Sequence, residues 1–379
     1  MDKEPKPPGA RRLLEPAALE KLMQVLAGRG YTIVGPVLRD GAITYEEVET
    51  LADLPAGWSV EQAPGRFRLK KREDGALFGY SVGPRSPKKF FHPSDILLFR
   101  AERTNGVFKI VNGHPAPPKY ALLGVRPCEL AAIALQDRVL LGDRFADSIY
   151  RGRRSGAFIV AVNCTEPGGT CFCASMDTGP SAQAGFDILL TEVIGEGRHV
   201  LLAEAGNEGG EEALEAIGAP PAPAEICDLA AGLVEAARSR MGRTVDTNGL
   251  KQALFEGFEH ARWDQVAGRC MSCGNCTQVC PTCFCVTMED SSDITVSKAE
   301  RWRRWDSCFT QNFSYIHGGS VRQSPKSRYR QWLTHKFGAW VDQFGKSGCV
   351  GCGRCITWCP VGIDVTEELA AIRGVVAGT

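Results

Sequence analysis

Residues 270–281 read Cys270-Met271-Ser272-Cys273-Gly274-Asn275-Cys276-Thr277-Gln278-Val279-Cys280-Pro281. Residues 349–360 repeat the pattern as Cys349-Val350-Gly351-Cys352-Gly353-Arg354-Cys355-Ile356-Thr357-Trp358-Cys359-Pro360. Both match C-x2-C-x2-C-x3-C-P. Three thiolates two residues apart on a glycine-bearing loop can wrap three corners of one cubane, and a fourth on the first turn of a following helix points toward a second. The spacing therefore predicts two [4Fe–4S] clusters with crossed ligation. Cys270, Cys273, Cys276 and Cys359 hold one, and Cys349, Cys352, Cys355 and Cys280 hold the other. Structural zinc is the competing reading, but four-cysteine zinc sites are built from two CxxC pairs and need neither a third step nor a trailing Cys-Pro.

Eleven of the sixteen cysteines lie at or after Cys270, and six of the seven tryptophans lie from Trp263 onward. Composition thus changes near residue 250, and two domains are expected, 1–245 and 246–379. Around the motifs the periodicity is helical. The stretch 324–344 spaces Trp332, Phe337, Trp340 and Phe344 by three to five. Thr247 and Asn248 are candidate caps for a helix carrying Leu250, Leu254, Phe258 and Trp263, and Asp364 for one with Leu369, Ile372 and Val376 inward. The expected fold is an α/β N-terminal domain plus an all-α helical dicluster ferredoxin-like C-terminal domain. The aromatics read as core packing rather than an electron path.

In the N-terminal part, 14–28 is amphipathic, and the segments 31–37 and 43–48 flank the hairpin signal Arg39-Asp40-Gly41. A short apolar strand, 120–125, runs into Arg126-Pro127-Cys128 and a helix with Ala131, Ala132, Leu135 and Val139 on one face. A second buried strand, 158–163, delivers Cys164, and the loop beyond it carries Cys171-Phe172-Cys173. Groups at the carboxyl ends of neighbouring strands gather in one crevice. Cys128, Cys164, Cys171 and Cys173 are therefore candidate ligands of a third [4Fe–4S] cluster. The alternative is that they are buried small hydrophobes. Cys283-Phe284-Cys285 echoes the earlier CFC segment, so mixed ligation is also open. Otherwise Cys283, Cys285 and Cys308 pack against the clusters, and Cys227 reads as core.

The remaining sequence excludes more than it adds. Lys plus Arg and Asp plus Glu both total 44, so no net field points to nucleic acid. No apolar run approaches membrane-spanning length, and the first eight residues read as a disordered tail, not a signal peptide. A cytoplasmic location is expected. No dinucleotide fingerprint, P-loop or HExxH is present, and the histidines at 92, 114, 199, 260, 317 and 335 lack ligand spacing. No catalytic residue, flavin site or NAD(P) site is expected on this chain. The basic run 301–336, with Arg301, Arg303, Arg304, Arg322, Lys326, Arg328, Arg330 and Lys336 against Asp306 alone, is expected to dock a partner or offset cluster charge.

Several segments are similar to one family. They are 270–285, Trp305-Asp306-Ser307-Cys308-Phe309, 317–322, 328–332, His335-Lys336, 348–364, Gly124-Val125-Arg126-Pro127-Cys128-Glu129-Leu130 and 171–180. Together they resemble the beta subunits of cytoplasmic nickel–iron hydrogenases of the sulfhydrogenase type, and the electron-input chain of anaerobic sulfite reductase is similar. The resemblance covers roughly residues 120–365 and does not separate those members. It implies an electron-transfer role with several partners: a nickel–iron large subunit, an iron–sulfur small subunit, a flavin-bearing NAD(P)-binding subunit, and an external ferredoxin-like carrier. A sulfite reductase with siroheme on its partner is the alternative enzyme. A cluster-based sensor is disfavoured, because a relay needs two centres in sequence and a sensor one.

Overall fold

The computed structural model describes residues 11–374 except 82, 114, 115, 143, 196 and 296. The N-terminal tail, His114 and Val376 lie outside the described residues. At the centre of the N-terminal part, four neighbouring strands, Thr32–Arg39, Tyr120–Val125, Phe158–Val162 and Ile188–Gly195, run parallel. Antiparallel strands Ala42–Glu47, Arg198–Ala205 and Arg12–Leu14 complete seven. The central strands are apolar throughout because both faces are covered. Ala121, Leu123, Val160 and Val162 point to one core and Leu122, Val125, Ile159 and Ala161 to the other. The first core is closed by the helix Ala18–Gly28, whose Leu19, Leu22, Met23 and Leu26 recur at helical spacing. The expected hairpin turns at Asp40 and Gly41, both at positive φ.

The C-terminal part departs from the all-α expectation. Strands Val286–Ser292 and Lys298–Trp305 form a hairpin directly after the first cysteine motif, and short strands continue to Ser320. The second strand of that hairpin pairs with Asp95–Thr104, which in turn pairs with Val107–Asn112, giving a four-stranded sheet shared by the two halves of the chain. Cross-strand charge pairs explain why a basic stretch is extended here. Arg301 faces Asp290, Arg304 reaches Glu289 and Asp95, and Arg303 is buried against Asp147. These arginines are thus neutralised by acids outside the run, two of them on the paired strand and two far away in the chain. Lys326 and Arg330 are also paired, with Asp264 and Glu259.

Helices nevertheless surround the motifs. Ser324 caps Pro325–Thr334 by accepting from the Ser327 N–H, and the helix widens into a π turn at His335–Ala339 before continuing to Phe344. Upstream, the expected single helix is two. Gly249, in the left-handed conformation, caps Leu250–Glu256 in place of Thr247 or Asn248, and Trp263 lies on Arg262–Arg269. That helix is anchored by Arg262 and Arg269 on the fully buried Glu368 carboxylate, at 2.5 and 2.6 Å. Asp364 caps Val365–Ile372 through the Thr366 N–H. No helix among the described residues is long and apolar enough to cross a membrane.

His92 makes a measurable contribution at the junction. Its ring is buried beside Trp305, neither nitrogen has a hydrogen-bond partner among the described residues, and burial followed by Arg303 and Lys88 pushes its pKa down to about 3. The folded state holds this imidazole neutral, so stability is unaffected above the usual value of 6.5. It falls as pH drops toward 3, by at most ~1.4 kcal/mol per pH unit. His92→Phe should therefore narrow the gap between denaturation midpoints at pH 6.5 and 4.5; an unchanged gap would remove His92 from the acid response.

Candidate iron–sulfur centres

The motif cysteines are delivered by loops that turn at glycine. Gly274 and Gly353, both at positive φ, precede the short helices Asn275–Gln278 and Arg354–Thr357, which carry Cys276 and Cys355. Cys270, Cys273, Cys276 and Cys359 line one cavity, so the last cysteine of the second motif sits with the first three of the first motif. Cys349, Cys352, Cys355 and Cys280 line another, with the exchange reversed. Cys355 borders both. The first cavity is walled by Phe309, Tyr329, Trp332, Ile363 and Val365, and Cys273 is exposed at its mouth. The aromatic walls belong to a buried core with Trp263 and Phe337.

A third cavity lies at the carboxyl ends of the parallel strands. Cys128, at the start of the helix Pro127–Leu140, lines it with Cys164, Cys171 and Cys173. It sits close to the second motif, because the two loops are stitched together. Phe172 N donates to Gly351 O at 2.8 Å, Thr178 Oγ1 to Val350 O at 2.7 Å, and Thr170 and Thr357 hydroxyls meet at 2.7 Å. A Cβ on Gly351 would lie 2.6 Å from Cys173 N, so only glycine permits this approach. Cys283 and Cys285 do not line the third cavity. Cys283 lies beside Cys280, and Cys285 beside Cys308. Cys227 is half-buried beside Val193 and Ile226.

The donor chemistry fits thiolate-ligated clusters. Four sulfurs of each set are spread around a cavity, as a cubane needs. Burial pushes the thiols of Cys128, Cys276 and Cys355 well above their usual range, and those of Cys171 and Cys349 up to about 12. Such sulfurs ionise only against bound metal. Two buried cations point the same way. Arg126 lines the third cavity, donates only to the carbonyls of Phe78, Tyr80 and Asn163, and leaves Nε without a partner among the described residues. Lys336 lines the second. Among the described residues neither has a carboxylate within ion-pair distance, and a buried charge requires a counter-charge. Arg354 also lines the second cavity, but it is paired with the buried Glu129.

Sequence reasoning gave Glu129 no role beyond a family-like segment and Lys336 none beyond that and a basic run, and it did not single out Lys88. Glu129 was visible as the third residue after Arg126, where it accepts from the Arg126 N–H at 3.0 Å as half of a capping box. Nothing local marks Lys88. It is buried because Trp305 lies 3.8 Å beneath its ammonium and Cys283 O accepts from it at 3.1 Å.

Residues 269–363 match the family model of the 4Fe–4S dicluster domain. Along 94% of its length the chain is 29% identical to Sulfhydrogenase 2 subunit beta of Pyrococcus furiosus, of which the match spans 96%. No solved structure matches the chain at a significant level. Residues 269–363 are a 4Fe–4S dicluster domain, and the chain that carries them is similar over nearly its whole length to a sulfhydrogenase beta subunit.

Proposed function

We propose that this chain is the iron–sulfur electron-transfer subunit of a hydrogenase-like complex, and that it exchanges electrons with a flavin-bearing, NAD(P)-binding partner. The observation that supports this most is the succession of three cysteine-lined cavities, adjoining at Cys355 and at the stitched loops 170–178 and 350–357. When bound, the clusters supply one-electron transfer. The protein holds them at fixed spacing and excludes water with the aromatic core. Cys270, Cys273, Cys276 and Cys359 are read as ligands of the first, Cys280, Cys349, Cys352 and Cys355 of the second, and Cys128, Cys164, Cys171 and Cys173 of the third. Residues 1–245 then form the unit bearing the third site and 246–379 the dicluster unit. Exposed Cys273 marks the end where a partner, including a ferredoxin-like carrier, approaches most closely.

Two measurements test the reading. The anaerobically purified chain is expected to bind about twelve irons; about eight would remove the third cluster. The native complex is expected to contain a nickel–iron large subunit, an iron–sulfur small subunit and a flavin subunit. Siroheme without nickel would overturn the hydrogenase assignment in favour of a sulfite reductase.

A further inference from the structure

Lys336 is placed by the π turn His335–Ala339 so that its ammonium lies between the two motifs. It donates to Thr282 Oγ1 at 2.9 Å and to Gly348 O at 3.2 Å. Thr282 follows Cys280 by two residues and contacts its sulfur at 3.1 Å, and Gly348 directly precedes Cys349. The backbone closes the same arrangement, with Gly348 N donating to Lys336 O at 2.7 Å. The side chain is 5% exposed. Among the described residues no carboxylate lies within ion-pair distance of it, so its charge faces the second cavity without an anionic partner. Lys88, equally buried, adds a second cation behind Cys283. The first cavity has no lysine or arginine in its wall among the described residues, and Arg354 in the second is already neutralised by Glu129.

Adding an electron to a cluster makes it more negative, so an adjacent fixed cation favours the reduced form, and more strongly where burial lowers the local dielectric. Resting on the cluster assignment above, we infer that Lys336 is a positioning residue for electrons: it raises the reduction potential of the Cys280–Cys349–Cys352–Cys355 cluster above that of the first. An electron entering at the exposed Cys273 end would then settle on the inner centre. The lysine touches no substrate and acts only through the cluster.

The test is a potentiometric titration of the full-length chain followed by electron paramagnetic resonance, with the second cluster identified by its absence in Cys280→Ala. Lys336→Met should lower the reduced-to-oxidised ratio of that cluster at least tenfold at fixed potential, a shift of about 59 mV for one electron. The first cluster should be unmoved, and Lys336→Arg should restore the parent value. Lys88→Gln should shift the same cluster in the same direction by less. It carries the test alone if Lys336→Met fails to retain iron. Parent signals present but unshifted in the loaded variants, or both clusters shifted equally, would overturn the inference. Absent parent signals would instead defeat the cluster assignment.

Discussion

Replacing Cys280 with alanine is expected to cost about four irons per chain, and the same loss is expected from Cys349→Ala. The double variant should lose no more than either single change, because both sulfurs border one cavity although 69 positions separate them. Cys359→Ala and Cys270→Ala should behave likewise as a pair at the other cavity. Combining across cavities, as in Cys280→Ala with Cys270→Ala, should remove about eight irons. Uncrossed ligation predicts the reverse pattern of additivity: Cys280 would then share its loss with Cys270. Iron quantification on these purified variants therefore decides the ligand sets, whatever the clusters' spectroscopic properties. These are the largest effects expected, since a cluster lost from the middle of the series interrupts the path on both sides.

The second large effect concerns the buried ion pair between Arg354 and Glu129. Both side chains are essentially inaccessible to water. Arg354 also donates from Nε to Gly83 O at 2.7 Å, while Glu129 accepts from Tyr45 Oη at 2.8 Å and from the Arg126 N–H. One carboxylate thus ties the start of the helix Pro127–Leu140 to the hairpin strand Ala42–Glu47 and to the second cysteine loop. Arg354→Met would leave that carboxylate buried and uncompensated, and breaking such a pair costs about 3–5 kcal/mol. The expected result is a lower denaturation midpoint together with easier loss of iron from the second site, because Arg354 stands between Cys352 and Cys355. Glu129→Gln with Arg354→Met should recover part of the loss, since two neutral groups replace one stranded charge. Equal midpoints for the single variant and the parent would show that the pair contributes nothing.

How much of this was legible depends on how local each signal is. The grouping of the eight motif cysteines around two cavities was legible, since three of each set lie within seven residues and the Cys-Pro step predicts the exchange. The gathering of Cys128 and Cys164 was legible because strand ends in a parallel sheet are a general meeting point, and both apolar strands, 120–125 and 158–162, announce themselves. The hairpin at 286–305 was not. Its outer residues are charged, so no apolar alternation marks it, and its arginines find their acids at positions 95, 147, 289 and 290. Two of those lie far away in the chain. The same distance hid Lys88, which is buried only by residues near 283 and 305. Lys336 was in view, but a sequence cannot tell a solvated lysine from one held by Thr282 and Gly348.

The sheet shared by the two halves has a consequence for biosynthesis. Arg100 and Glu300 pair across 200 residues, so the hairpin 95–112 emerges long before the strand that completes it. At a synthesis rate of roughly 5–20 residues per second, its open edge waits about 10–40 s. Val107, Phe108 and Ile110 are still largely exposed in the finished fold, and during that interval they stand beside an unpaired edge prone to misassociation. Iron delivery is drawn into the same schedule. Cys285 and Cys308 bracket the late hairpin, and Cys280 waits for a motif completed only at residue 359. Completion of the shared sheet and of both C-terminal cysteine sets therefore waits for the last hundred residues of the chain.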